Sequence, residues 1–352
     1  VALFCHCLMA ALAWADPGET GWSREPSLPD PIGYAGMVAG MSGDTLLAAG
    51  GARFPTRPPW EGGSKVYEDS IWLLPAGSSS WVKSRQRLPA PLAYGVSATW
   101  RDTVVVAGGE TRAGEKPISC VPTVWTIAPG NDGLDFTPLP SLPSPVAYAA
   151  GTVVGDRLIV AGGVMAPAAT KALNAVWMLE LSHPSKGWKK LPEFPGAGRI
   201  LATCAAIGSD FFLMGGAEIL PDGEGKPARR YLKDAWRLDA SGTWHRLPDM
   251  PVPIAAAATP APVENNHIWI ISGDDGTLAG TKPSDHPGFP AHSLAFDSVK
   301  NMWRTGPRVP APRVTLPTVL AKKRWWFISG ESRPGIRSPE VWSAEPARWK
   351  WP

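Results

Sequence analysis

The chain has 352 residues, 44% of them hydrophobic and 18% charged, so it can bury a large core and should be globular and compact. Its net charge is +3 and its longest basic run is Lys322-Lys323-Arg324, which gives no electrostatic case for nucleic acid. After the N-terminus no segment approaches the roughly 20 apolar residues of a membrane span.

The opening run "VALFCHCLMAALAWADPGE" ends in Ala13-Trp14-Ala15 and reads as the apolar region and A-x-A site of a secretory signal peptide, although it lacks a basic leading segment. Residues 1–15 are therefore expected to be a leader, with 16–352 a single domain in the periplasm or secreted. Removal of the leader leaves two cysteines, Cys120 and Cys204. A disulfide between them is allowed, but Cys204 lies in the strand-like run "LATCAAIG", where a small buried thiol is the simpler reading. With no C-x-x-C, a structural zinc is not expected.

Internal periodicity decides the fold. Short apolar strands ending in small residues recur six times: "TLLAAGG", "TVVVAGG", "RLIVAGG", "FFLMGG", "IWIISG" and "WWFISG". Their last glycines, Gly51, Gly109, Gly163, Gly216, Gly273 and Gly330, are 58, 54, 53, 57 and 57 residues apart, near the roughly 50-residue period of kelch blades. Each unit has a strand of small or aromatic residues before the glycines. After them comes a run with an aromatic (Trp72, Trp125, Trp177, Trp236, Phe296, Trp342), then a second aromatic (Trp81, Phe136, Trp188, Trp244, Trp303).

Four strands per unit, separated by Gly and Pro turns, predict an all-β, six-bladed kelch-type β-propeller. Most of the 18 Trp and 39 Pro are then architecture. The sixth unit lacks a certain outer strand. Trp22 to Pro26 is expected to supply it and close the ring, with "RWKWP" at the other end competing for the role.

In a propeller the inner strands converge on a channel and the loops of one face form its mouth, where function resides. After the glycines stand Arg53, Glu110, Val164, Glu218, Asp274, Asp275 and Glu331. The loops of units one, four and five are long enough to cover the mouth or to be plain solvated loops. Strand starts place Tyr34, Tyr94, Tyr148, Arg199 and Arg313 toward the channel. Arginines there imply an anionic ligand, or pairing with Glu110, Asp274 or Glu331.

"WEGGSKVYEDSIW" in the first unit and "GESRPGIRSPEVW" in the last resemble the N-acetylneuraminate (sialic acid) mutarotase/epimerase family, closest to its cyclically permuted branch. The likeness covers nearly the whole chain after the leader. The family pattern Gly-Glu-x-(Lys/Arg)-Pro-Gly-x-Arg falls on Gly330 to Arg337, so the resemblance implies Glu331 and Arg337 as the catalytic pair, with Arg333 at the basic position. In the unpermuted family the motif lies in a middle blade, whereas here it closes the chain, so companion residues are not carried over. Candidate substrate contacts are Arg333, Arg199, Arg313, Asp274, Asp275, Glu110 and Tyr34.

Mutarotation needs one carboxylate that exchanges protons and a donor that stabilises the developing oxyanion, with no cofactor and no metal. Glu331 is the expected acid/base. Arg337 is the expected oxyanion stabiliser and carboxylate clamp. The implied partner is a small sugar acid, and the ring is compatible with a monomer or a homodimer. Three alternatives stand beside this reading: an ordinary Glu331–Arg337 ion pair bracing a turn in a glycan- or protein-binding propeller, a glycoside-processing enzyme using Glu331 with Glu110 or Asp274, and a copper oxidase.

Overall fold

The computed structural model describes residues 21–349; the expected leader lies outside them. Six four-stranded antiparallel sheets surround one axis. Blade one comprises Val38–Ser42, Thr45–Ala49, Ser70–Leu74 and Val82–Arg87, and the next four blades repeat its order along the chain. Blade six takes Thr318–Ala321, Arg324–Ile328 and Val341–Ala344 from the C-terminal end and Trp22–Glu25 from the N-terminal end. Trp22 pairs with Ala344 and Glu25 with Val341, so the N-terminal strand closes the ring. Of the competing C-terminal segment, residues 350–352 lie outside the described residues; Arg348 ends a short 3-10 turn, Pro346–Arg348, and Trp349 stacks on Trp22 with ring centroids 5.3 Å apart.

The recurring glycines have a conformational cause. In blade one Gly50 and Gly51 lie at φ +65° and +97°, left-handed conformations that cost a side-chain-bearing residue about 1 kcal/mol or more. Just before each innermost strand the chain makes a second left-handed turn, at Gly36, Tyr94, Tyr148, Leu201, Ala256 and Thr315. Each of these residues donates its backbone N–H to the carbonyl of its counterpart in a neighbouring blade, at 2.7–3.0 Å. The six bonds form an unbroken circle around the axis, tying every blade to the next.

The tryptophans hold the rim. The indole N–H groups of Trp81, Trp188, Trp244 and Trp303 each donate 2.8 Å bonds to the carbonyls of Pro26, Pro140, Pro192 and Pro248, at the end of the preceding blade. Between rim and axis, the facing sheets interdigitate apolar side chains. Met214, Ile254, Ile270 and Phe296, for example, fill the space between blades four and five. Cys204 is fully buried in such a layer, and both Cys120 and Cys204 are free thiols.

Candidate functional site

The first residue after each glycine pair occupies an equivalent place. Ala52, Glu110, Val164, Ala217, Asp274 and Glu331 bridge to Ala35, Ala93, Ala147, Ile200, Ala255 and Val314. In four blades the chain continues into a small secondary hairpin, whose returning strand sets Tyr67 opposite Ala52, Cys120 opposite Glu110, Tyr231 opposite Ala217 and Arg337 opposite Glu331. These four returning residues all stand five positions before their blade's Trp. A hairpin residue at this place reaches the next blade. The Tyr67 hydroxyl donates to Glu110 at 2.6 Å, and the Tyr231 hydroxyl donates to Asp274 at 2.6 Å.

Arg337 follows the same rule and then departs from it. Its Nε donates to the Ala52 carbonyl of blade one at 3.1 Å, but Ala52 offers no carboxylate. Its Nη1 therefore lies 2.8 Å from Oε2 of its own blade's Glu331. The other Glu331 oxygen accepts the Gly335 N–H at 2.6 Å. Phe54 covers the guanidinium, 5.1 Å from the ring centroid. Glu331 and Arg337 thus form one unit, held by the hairpin turn and by blade one.

Blades one, two and three complete the mouth. Glu110, buried, accepts hydroxyls from both Tyr67 and Tyr148 on Oε2, the latter at 2.8 Å. Lys65 approaches the same oxygen at 3.5 Å and lies over the Tyr67 and Tyr94 rings at 5.0 and 4.7 Å. Tyr94 and Tyr148 stack with centroids 4.5 Å apart. Burial pushes the Tyr94 hydroxyl up to about 12, against the lowering pull of Arg337, so it stays protonated at neutral pH. Burial lowers the Lys65 ammonium, with Glu110 opposing.

Among the residues expected to meet a ligand, Glu331, Arg337 and Glu110 share this mouth, whereas Arg199, Arg313 and Tyr34 do not. The five strand-start residues are not equivalent: Arg199, Arg313 and Tyr34 lie two residues before the left-handed positions that Tyr94 and Tyr148 occupy in their own blades. Their structural counterparts are the core residues Leu92, Val146 and Ile254. Arg199 is wholly buried, with its Nη1 and Nη2 on Asp234 at 2.9 and 2.7 Å. Arg313 is buried against the Glu340 carbonyl, and burial lowers it to about 10. The Tyr34 hydroxyl donates to Asp30, beneath Arg53.

Asp274 is held by Tyr231, and the Asp275 carboxylate accepts from Thr277, leaving both outside the Glu331 cluster. Arg333 sits at the hairpin tip, half-buried, paired across the turn with Ile336. Lys65 and Tyr67 were not among the expected site residues, although the five-residue spacing to Trp72 marks Tyr67 as the counterpart of Arg337. Among the described residues, no cluster of three or more His, Cys, Asp or Glu has a metal-binding arrangement, and no helix is long and apolar enough to cross a membrane.

The long loop of blade one acts as a cover. Its 3-10 turn, Pro59–Glu61, rests on the Glu331–Arg337 hairpin, close enough that a Cβ on Gly335 would lie 2.8 Å from Pro59 and 2.9 Å from Trp60. The blade-four loop is itself a hairpin, Ala217–Pro221 with Pro227–Tyr231. The blade-five loop packs Phe289 near Ala256 and Val314.

Fold and mouth together define a kelch-type propeller with a carboxylate–guanidinium pair, a second buried carboxylate, an ammonium and phenols converging from four blades. Over 241 residues, 60% of this chain and 62% of the relative, it is 25% identical to N-acetylneuraminate epimerase 1 of Escherichia coli O6:H1. It is 24% identical over 242 residues to N-acetylneuraminate epimerase of Haemophilus influenzae, again 60% of this chain and 61% of the relative. A shorter match to N-acetylneuraminate epimerase of Escherichia coli O1:K1 is 37% identical over 103 residues, 27% of each chain. The chain is thus similar to proteins named N-acetylneuraminate epimerase, and the longer matches span less than two thirds of those proteins. No family model matches it.

Proposed function

We propose that this protein is a sugar-acid mutarotase that interconverts the anomers of N-acetylneuraminate or a close analogue, acting outside the cytoplasm. The observation that carries the reading is the Glu331–Arg337 pair, with Oε2 and Nη1 2.8 Å apart beside the protonated Tyr94. The relatives' names support the substrate class.

In the proposed reaction, the Glu331 carboxylate takes the proton from the anomeric hydroxyl. As the anomeric carbonyl forms, the bond from that carbon to the ring oxygen breaks, and Glu331 passes the proton it took to the ring oxygen, becoming a carboxylate again. Arg337 stabilises the negative charge that moves between these oxygens, and Tyr94 is a neutral donor held beside it. After rotation about the bond to the carbonyl carbon, Glu331 takes the proton of the attacking hydroxyl as the ring recloses on the other face and gives it to the carbonyl oxygen, giving the opposite anomer with no net change in protons. Each Glu331 oxygen already accepts one contact and keeps a second lone pair for the substrate.

Freshly released α-N-acetylneuraminate followed by proton NMR should reach its α/β equilibrium faster with the protein. Glu331→Gln should abolish the acceleration and leave the thermal midpoint within a few degrees of wild type, because the amide keeps the shape but cannot carry the proton. Full acceleration by a folded Glu331→Gln variant overturns the assignment.

A further inference from the structure

The geometry points to Lys65 as the cation that receives the ligand's carboxylate, leaving Arg337 with Glu331 at the reacting oxygens. The inference rests on the sugar-acid reading and divides between two residues the work first given to Arg337 alone.

The division follows from counting donors and acceptors. Arg337 has Nε on the Ala52 carbonyl and Nη1 in an ion pair with Glu331 at 2.8 Å, and although Nη1 makes no well-directed hydrogen bond, its side chain is only 4% exposed and closed in beside that carboxylate. Moving it onto a ligand carboxylate would strip Glu331 of its counter-charge at the moment it must exchange a proton. Arg53 is held by Asp30 at 2.7 Å and by Glu68 at 2.8 Å, and Arg199 is closed over by Asp234.

Lys65 is differently placed. Its side chain is 25% exposed, and its ion-pair contact, to Glu110 Oε2, is 3.5 Å long. The two lone pairs of that oxygen are already matched by the hydroxyls of Tyr67 and Tyr148 at 2.6 and 2.8 Å. The ammonium is therefore a third and loosely held donor, positioned by the faces of Tyr67 and Tyr94 and lacking a well-made acceptor.

Ligand chemistry fits this spacing. In N-acetylneuraminate the carboxylate and the anomeric hydroxyl are attached to the same carbon, so their recognition groups must stand within a few bonds of each other. Lys65 feels the fields of both Glu331 and Arg337, which places the three charges in one mouth. A carboxylate entering between Lys65 and Arg337 also relieves the repulsion of the two cations.

The test compares N-acetylneuraminate with its neutral methyl ester by NMR-detected titration of wild type, Lys65→Met and Lys65→Arg. Lys65→Met should weaken the acid by about 10- to 100-fold, the range of one charge-assisted hydrogen bond. It should change the ester's affinity by much less, and Lys65→Arg should restore most of the binding of the acid. Equal loss for acid and ester in folded variants makes Lys65 a brace for the tyrosines and overturns the assignment alone. Failure of the wild-type chain to bind either compound overturns the sugar-acid reading and this inference with it.

Discussion

Gly335 shows how much of the site depends on one backbone angle. At φ +78° it turns the hairpin so that its N–H meets Glu331, and the absence of a side chain lets Pro59 and Trp60 settle on top. In Gly335→Ala the left-handed conformation costs about 1 kcal/mol, and the new Cβ collides with the cover turn. The expected result is a small fall in thermal midpoint, faster hydrogen exchange over residues 57–63, and a larger fall in anomerisation than in stability. Unchanged exchange and rate would show that the cover does not hold the Glu331 turn. The same residue-scale logic explains why Lys65 escaped a reading of the sequence. It stands two residues before Tyr67, where the other hairpins carry the unlike residues Ile118, Arg229 and Gly335, and only the approach of blade two's Glu110 and Tyr94 gives it a role.

At the scale of elements, two blades solve one problem in different ways. Blade four buries Arg199 against Asp234, two residues before Trp236, and Trp236 also donates to that carboxylate at 2.7 Å. Blade six places Arg313 and Glu340 at the same positions, but the Glu340 carboxylate turns outward to Arg24 at 2.9 Å, leaving Arg313 with the Glu340 carbonyl. Burial pushes the Asp234 carboxyl up, yet Arg199 and Trp236 outweigh it and hold the group below the ordinary carboxylate range. Its contribution to stability is therefore complete above the unfolded pKa, near 3.8, and fades as pH falls through the lower folded value. Asp234→Asn should cost about 3 kcal/mol at neutral pH by leaving a buried guanidinium without its counter-charge. Thermal melts should show the gap from wild type shrinking below pH 4. A gap that stays constant down to pH 2 would contradict the pairing. The blades were legible in the sequence because the small-residue pairs recur wherever the backbone must be left-handed. The strand starts were misaligned by two residues because the left-handed turn before each inner strand is occupied by Gly, Tyr, Leu, Ala or Thr, which share no side-chain chemistry.

At the scale of the whole molecule, the candidate site straddles the seam where the ring closes. Glu331 and Arg337 belong to blade six, while Lys65, Tyr67 and Glu110 belong to blades one and two. The hydrogen-bonded circle crosses the seam through Gly36 and Thr315, and Arg337 crosses it to Ala52. Blade six in turn depends on Trp22–Glu25, whose Trp22 packs between Phe327 and Trp349 at 5.0 and 5.3 Å. Trp22→Ala should cost about 3–5 kcal/mol by emptying that layer. Its main effect should be local, because the exposed edge of Val341–Ala344 then frays and the two halves of the mouth separate. Trp244→Ala, on the latch between blades three and four, is the matched control, since it loosens a joint on the other side of the ring. Anomerisation measured against temperature should fail in Trp22→Ala well below the global near-ultraviolet unfolding transition, whereas in Trp244→Ala activity and global structure should be lost together. Coincident loss in both variants would show that the closed circle unfolds as one unit and that the seam gives the site no separate vulnerability.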